Sequence, residues 1–239
     1  MRVTIHQPEH MPWPGFFHKI NMADTYVVLD NVQYRRRYFQ NRNKIRTADG
    51  WQWVTVPLEK ETRDRLLIKD ARIWKENLKW KSKNLESIYH NYRKAEYFIY
   101  YWNGFESIYN RDYFYLADFN LALLKFFFEK LKIRCEVRRA SEMDISGRKG
   151  DLIFNICRAL KAKKYISGIS GKEYLNLKDF KKVGIGVVFQ EFHHPVYKQL
   201  HKPFIACMSI IDLLFNYGDR SLNIIRGKGG VPLMEEVIL

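Results

Sequence analysis

The sequence predicts an α/β fold: a mostly parallel sheet with flanking helices and a helical insertion. Three observations predict it. Short runs rich in β-branched and aromatic residues alternate with segments of helical period, the pattern of parallel sheets covered by helices. The chain opens on a minimal β-α-β unit between Val3 and Asp30. Between residues 75 and 131, helical segments then follow one another with no strand among them.

Residues 2–7 read as a strand buried on both faces, running into His6-Gln7-Pro8. Pro12 and Pro14 suit a turn and a first helical position, and Gly15 to Met22 reads as a helix with Phe16, Phe17 and Ile20 inward. Thr25 to Asp30 is a second strand, parallel to the first by the handedness rule for such units. Residues 31–50 have little apolar periodicity and end on Asp49-Gly50, a turn signal. Trp51 to Pro57 alternates, and pairs as a hairpin with residues 42–47. Leu66 to Ile73 reads as a further strand. Helices follow over Trp74–Tyr92, Tyr97–Tyr109 and Tyr113–Leu131, the last with Leu116, Phe119, Leu123, Phe126, Phe127 and Leu131 on a broad apolar face. The remaining elements are a strand Ile133–Val137, a helix Lys149–Leu160, a strand Lys164–Ser167, a strand Val183–Gln190 and a helix Ser209–Asn216. The expected organisation is one domain over residues 1–225, with 75–131 as a helical layer or subdomain, and a tail over 226–239.

Bulk composition narrows the class. The 239 residues are 46% hydrophobic and 15% aromatic, enough for a sizeable core and unlike a disordered chain. The net charge of +15 has two readings of equal weight: an anionic partner, or a lysine-rich solvated surface. Three widely spaced cysteines with no CxxC pair exclude a disulfide framework and a cysteine zinc site, so buried structural thiols in a reducing compartment are expected, with no metal. No apolar h-region opens the chain and no run of 18 apolar residues occurs, so a cytoplasmic protein without membrane insertion is expected. Neither GxSxG, HExxH nor the dinucleotide-binding GxGxxG is present.

Candidate chemistry gathers in four stretches. His6 and Gln7 stand at a strand's end, where ligands bind in open α/β sheets, and Gly15 offers close approach to helical N–H groups. Arg37, Asn41, Arg42, Asn43 and Lys44 form a basic, amide-rich segment interleaved with Tyr34, Tyr38 and Phe39, suited to phosphate or sugar. Such interleaving also fits single-stranded nucleic acid, ranked lower because no recognition helix collects the charge. Ser167-Gly168-Ile169-Ser170-Gly171-Lys172 has the look of a phosphate loop without Walker spacing, and a plain loop is an equal alternative. The fourth stretch is Phe192 to Gly218. Ser209 there fits an N-cap, and a structural role for Asp212 is at least as expected as a catalytic one. His6, Gln7 and His194 are the catalytic candidates. Trp13, Lys19, Asp30, Gln33, Arg37, Asn41, Arg42, Asn43, Lys44, Tyr197, Gln199, Asp212 and Asn216 are the candidates for binding substrate.

The stretch IHQPEHMPWPGFFHKINMADTYVVLDNVQYRRRYFQNRNKIRT, the later GWQWVTVPL, and then SGISGKEYL, FHHPVYKQ and SIIDLLFNYG resemble the WbqC-like family of bacterial proteins, in order and over residues 3 to 218. The resemblance implies a Rossmann-like or HUP-like three-layer fold. It also implies a transferase of surface-polysaccharide (O-antigen) biosynthesis that moves an acyl or aminoacyl group, glycyl in type, onto a nucleotide-linked amino sugar. No tightly bound cofactor is implied. The donor would be an acyl thioester on an acidic acyl carrier protein or on coenzyme A. In this reading His6 or His194 takes the proton of the attacking amine, Gln7, Asn41 or backbone N–H groups hold the oxyanion, and Arg42 and Lys44 clamp phosphates. Two alternatives stay open. One is a nucleotidyl transferase, since the opening also resembles HUP-type nucleotide-binding units while lacking their HxGH spacing. The other is a non-catalytic protein that binds sugar nucleotides or nucleic acid.

Overall fold

Packing divides the chain into two compact units. The computed structural model describes residues 1–59, 66–77 and 79–227. One unit comprises residues 1–8, 16–32 and 134–192, and the other residues 9–15, 33–133 and the chain from 193 onward.

The first unit is a five-stranded, all-parallel sheet with helices on both faces. Its strands are β1 (Arg2–His6), β2 (Thr25–Val28), β5 (Glu136–Arg139), β6 (Lys164–Ser167) and β7 (Gly186–Phe189), in spatial order β5-β2-β1-β6-β7. β1 aligns Val3 with Thr25 on one side and Arg2 with Lys164 on the other. The first crossover, through α1 (Pro14–Asn21), steps from β1 to β2. Later crossovers, through α5 (Lys149–Ala159) and α6 (Leu177–Lys182), step the opposite way to β6 and β7. Parallel crossovers keep one hand, so reversing direction places α5 and α6 on the face opposite α1. Packing bears this out. Val3, Ile5 and Val27 bury against Leu152, Ile153, Ile156 and Phe180, whereas His6 and Tyr26, on the other pleat face, meet Phe16 of α1 at 5.1 and 5.8 Å. The α/β fold with a parallel sheet and flanking helices is as the sequence predicts.

The second unit contains the link between β2 and β5 and is far more aromatic. Its hairpin pairs β3 (Arg42–Thr47) with β4 (Gly50–Thr55), from Arg42↔Thr55 to Thr47↔Gly50, and Gly50 closes the turn at φ 136°. Around it lie α2 (Trp80–Tyr92), α3 (Phe98–Asn110), α4 (Leu116–Lys130), α7 (Ile210–Tyr217) and α8 (Ser221–Ile225). Phe105 sits at the centre, its ring 5.4 to 6.5 Å from those of Tyr109, Phe126, Phe127 and Phe215. Arg46 is buried as a charge at 1% exposure because backbone carbonyls receive it: Thr47, Gly50 at 2.6 Å and Pro203 at 2.9 Å.

Several expectations shift. Leu66–Ile73 is a single 3-10 turn (Ile68–Asp70) between isolated bridges to three different segments, so no ladder forms to extend it. The second helix starts at Trp80 and not at Trp74, whose backbone N–H donates to Pro57. Helices α2 to α4 fall within 75–131, and the compact unit that holds them also includes the hairpin. α6, N-capped by Asn176, occupies a stretch to which no element was assigned, and α8 lies just before the expected tail. Residues 228–239 of that tail lie outside the described residues. Cys157 is buried as expected, but Cys207 is exposed.

Candidate functional site

The carboxyl edge of the parallel sheet collects the polar groups of the first unit. β1 and β6 are neighbours whose crossovers leave in opposite directions, and that point of reversal is where open α/β sheets bind ligands. His6 ends β1, and Ser167 ends β6 with Gly168 directly after it. A Cβ built on Gly168 would lie 4.0 Å from the Lys19 Nζ, so the ammonium of α1 rests against the end of β6. Lys19 is 4% exposed. Burial, and then the Lys19 charge, push His6 down to a pKa of about 3, against the weaker opposing pull of the Gln7 carbonyl. The imidazole is therefore neutral at pH 7. Its Nδ1–H donates to that carbonyl at 3.0 Å, which makes Nε2 the acceptor nitrogen. Ser167 Oγ is buried and donates to Gly168 O at 3.0 Å.

Two further groups stand on this edge. Gln190, directly after β7, donates from Nε2 to His18 Nδ1 at 2.9 Å, and Phe192 lies 5.0 Å from the His18 ring. Burial lowers the His18 pKa as well. Asp30, just past β2, is fully buried, and its oxygens accept from Arg139 Nε at 2.7 Å, Ser141 N at 2.9 Å and Ser141 Oγ at 2.8 Å. Asp30 thus ties the ends of β2 and β5 together.

The second unit holds the remaining candidates, in three groups. Asn43 is buried and staples its own unit: Nδ2 donates to His10 O and Met11 O at 3.2 and 2.9 Å, and Oδ1 accepts from Lys44 N. Trp13 stacks on His194 at 6.1 Å, and its indole fills the space left by the missing side chain of Gly15, where a ligand's approach was expected. Both ring nitrogens of His194 are engaged, Nδ1 donating to Pro195 O and Nε2 accepting from Cys207 N. Asp212 is buried and accepts from Tyr197 OH at 2.7 Å and Gln199 Nε2 at 2.8 Å, while Asn216 donates to the Asp212 carbonyl. Ser209 caps α7 by accepting from Ile211 N. These bonds hold the 193–207 strap to α7.

The third group surrounds the hairpin's start. Arg37, Asn41 and Arg42 line one cavity with Tyr34, Arg36, Thr55, Leu58 and Glu59. Lys44 is elsewhere, its Nζ 4.2 Å from the Trp51 ring centroid, and Gln33 is exposed and bridges to Leu67.

The profile of the WbqC-like protein family matches residues 7–224. The chain belongs to the WbqC-like protein family. Among curated proteins, this WbqC-like chain is similar to "Uncharacterized protein Rv1507c" of Mycobacterium tuberculosis (strain ATCC 25618 / H37Rv), 29% identical over 227 residues that cover 94% of this chain and 97% of the relative. No solved structure matches.

Sequence reasoning missed His18, Gln190 and the buried His10 of this WbqC-like chain. His10 donates from Nδ1 to Asn120 Oδ1 at 3.1 Å and accepts at Nε2 from Tyr109 OH at 3.3 Å. Nothing in local pattern marks His10 or Gln190. His18 sits on the first helix one residue before Lys19, and its place was open to inference once the strand order was known. Among the described residues no group of three or more His, Cys, Asp or Glu is placed to hold a metal ion, and no helix is long and apolar enough to cross a membrane.

Proposed function

We propose that the chain is a transferase of bacterial surface-polysaccharide (O-antigen) assembly, moving an acyl or aminoacyl group onto the amine of a nucleotide-linked amino sugar. The observation that carries this reading is the neutral His6 beside the buried Lys19 at the reversal point of the parallel sheet. Such a point takes nucleotide-type ligands, and Lys19 supplies a cation for their diphosphate. The donor is an acyl thioester on an acidic carrier protein or coenzyme A, and the net charge of +15 suits both anions.

The sugar nitrogen attacks the thioester carbonyl. A C–N bond forms, the C–S bond breaks, and the amine proton passes by way of His6 Nε2 to the departing thiolate. A pKa near 3 makes His6 a weak base in the free protein. A diphosphate that neutralises Lys19 removes the second of the two causes of that depression, and so raises the imidazole toward effective proton transfer. Binding of the acceptor thereby relieves the smaller part of the depression, and the larger part, from burial, remains.

The test is to incubate the protein with pooled nucleotide-linked amino sugars and acyl or aminoacyl thioesters, and to follow the sugars by mass. The expected result is a sugar heavier by one acyl group, with free thiol released. A second reading, nucleotidyl transfer, is favoured by the strand order, which is that of nucleotide-binding sheets. Consumption of ATP with pyrophosphate release, and no use of thioester, would replace the first reading with it.

A further inference from the structure

We propose that the second unit carries an anion site of its own, the arginine-lined cavity beside the hairpin, and that it takes a phosphoryl group: pyrophosphate or the terminal phosphates of a nucleotide. The cavity measures about 230 Å³ and is lined by Tyr34, Arg36, Arg37, Arg42 and Glu59 among others. Three arginines and one glutamate thus line it. Among the described residues none of the three arginines has an ion-pair partner.

Arg42 is the decisive residue, because its guanidinium is already held for a ligand. Its plane lies over the Trp53 ring, 4.1 Å from the centroid, and Nη2 donates to Arg37 O at 2.5 Å. Among the described residues Nε is buried with no hydrogen-bond partner. A buried, charged N–H without an acceptor is costly, and an anionic oxygen in the cavity would complete it. Arg37 itself is held at φ 58°, in the left-handed region that non-glycine residues rarely occupy. The loop therefore adopts an uncommon backbone while presenting its carbonyl to Arg42. Burial pushes Tyr34 up to about 12, against the pull of Arg36 and Arg42, so the phenol stays protonated at neutral pH.

Size narrows the ligand. Clefts for drug-sized organic molecules run from roughly 300 Å³ upward, so this cavity fits an anionic group and not an entire nucleotide sugar. Arginine forks match phosphate oxygens in pairs. Single-stranded nucleic acid fits less well, because Arg42 and Lys44 already occupy faces of Trp53 and Trp51 on which bases would stack. The site stands apart from His6 and Lys19, on which the transferase reading rests and which belong to the other unit.

Calorimetric titration of the full chain with pyrophosphate, inorganic phosphate and UDP tests it. Pyrophosphate binding should weaken at least tenfold in Arg42→Gln, weaken less in Arg42→Lys, and persist in Lys19→Met. If Arg42→Gln fails to fold, Arg36→Gln, at an exposed position, should still weaken binding several-fold. UDP binding that shares the Arg42 dependence assigns the site to a nucleotide's phosphates; binding of pyrophosphate alone with that dependence assigns it to the free anion. The proposal is overturned if pyrophosphate binding ignores Arg36 and Arg42, if it vanishes in Lys19→Met, or if the arginine changes alter only the binding of a single-stranded RNA oligomer. A failed mass-shift assay beside intact, Arg42-dependent pyrophosphate binding would reject the transferase reading and leave this site standing.

Discussion

Two histidines, half-buried His6 in one unit and fully buried His10 in the other, show how the same side chain serves different ends. Both are neutral at pH 7, His6 held down to about 3 and His10 to about 4, and burial is the main cause in each. Both have Nδ1 as donor. The difference lies in what holds them. His10 is clamped by side chains of α3 and α4, Tyr109 and Asn120, and those partners are tied further: Tyr109 OH accepts from Asn84, and Asn120 donates to Gln40 O. His6 is held by the carbonyl of the next residue in its own chain and stands against a buried ammonium at the sheet's carboxyl edge. A network from three elements fixes a core. In the proposed transferase, the imidazole beside a cation is the one that responds to an anion.

Substitution separates the two most sharply. In the transfer assay, His6→Ala should lower turnover by about 10²- to 10⁴-fold, the usual span for a lost general base, with Trp-monitored unfolding unchanged. All six tryptophans belong to the second unit, so their fluorescence reports that unit alone. His10→Ala should do the reverse. It strands the Tyr109 hydroxyl and the Asn120 carbonyl in the core, at a cost of about 3 kcal/mol, and leaves turnover per folded molecule intact. Full turnover in His6→Ala would remove the base assignment.

The histidine clamp also has a pH signature. The folded pKa of His10 lies below its ordinary value of 6.5, so the unfolded chain binds the proton more tightly. Its contribution is complete above pH 6.5 and is lost as pH falls toward 4, on the order of 3 kcal/mol over that window. Urea midpoints followed by tryptophan fluorescence should fall across it in the wild type, and a His10→Gln chain should show a flatter profile.

What could be read from the chain follows the same division. The parallel sheet was legible because β1, β2 and β6 are short runs bounded by polar turns, and the hairpin was legible because Trp51 to Thr55 alternates after Asp49-Gly50. His6 and Gln7 stood out as a polar pair at a strand's end. Strand order was not legible. It depends on which way each crossover turns, and it alone brings Gly168 to Lys19 and Gln190 to His18. In the second unit the buried carboxylate and amides, Asp212, Gln199 and Asn43, are spelled with the same letters as ligand-binding groups. Only their partners show that they bind the protein to itself. Asp30 in the first unit reads the same way, a strand-end carboxylate whose bonds go to Arg139 and Ser141.

The smallest expected effect lies at the rim of the sheet, where Arg2 and Asp24 meet at 2.5 Å with both side chains about half exposed. Arg2 and its backbone N–H hold the Asp24 carboxyl below its ordinary value of 3.8. A depressed carboxyl contributes stability above that value and loses it as pH falls through the folded pKa. Exposure screens the pair, so Arg2→Ala should cost less than about 1 kcal/mol, and added salt should shrink even that. The tryptophans do not see this pair, so backbone circular dichroism in the wild type and variant, at low and high salt, is the measurement. A loss as large as that for His10→Ala would mean that the edge of the sheet, and not the interior of the aromatic unit, governs the stability of the chain.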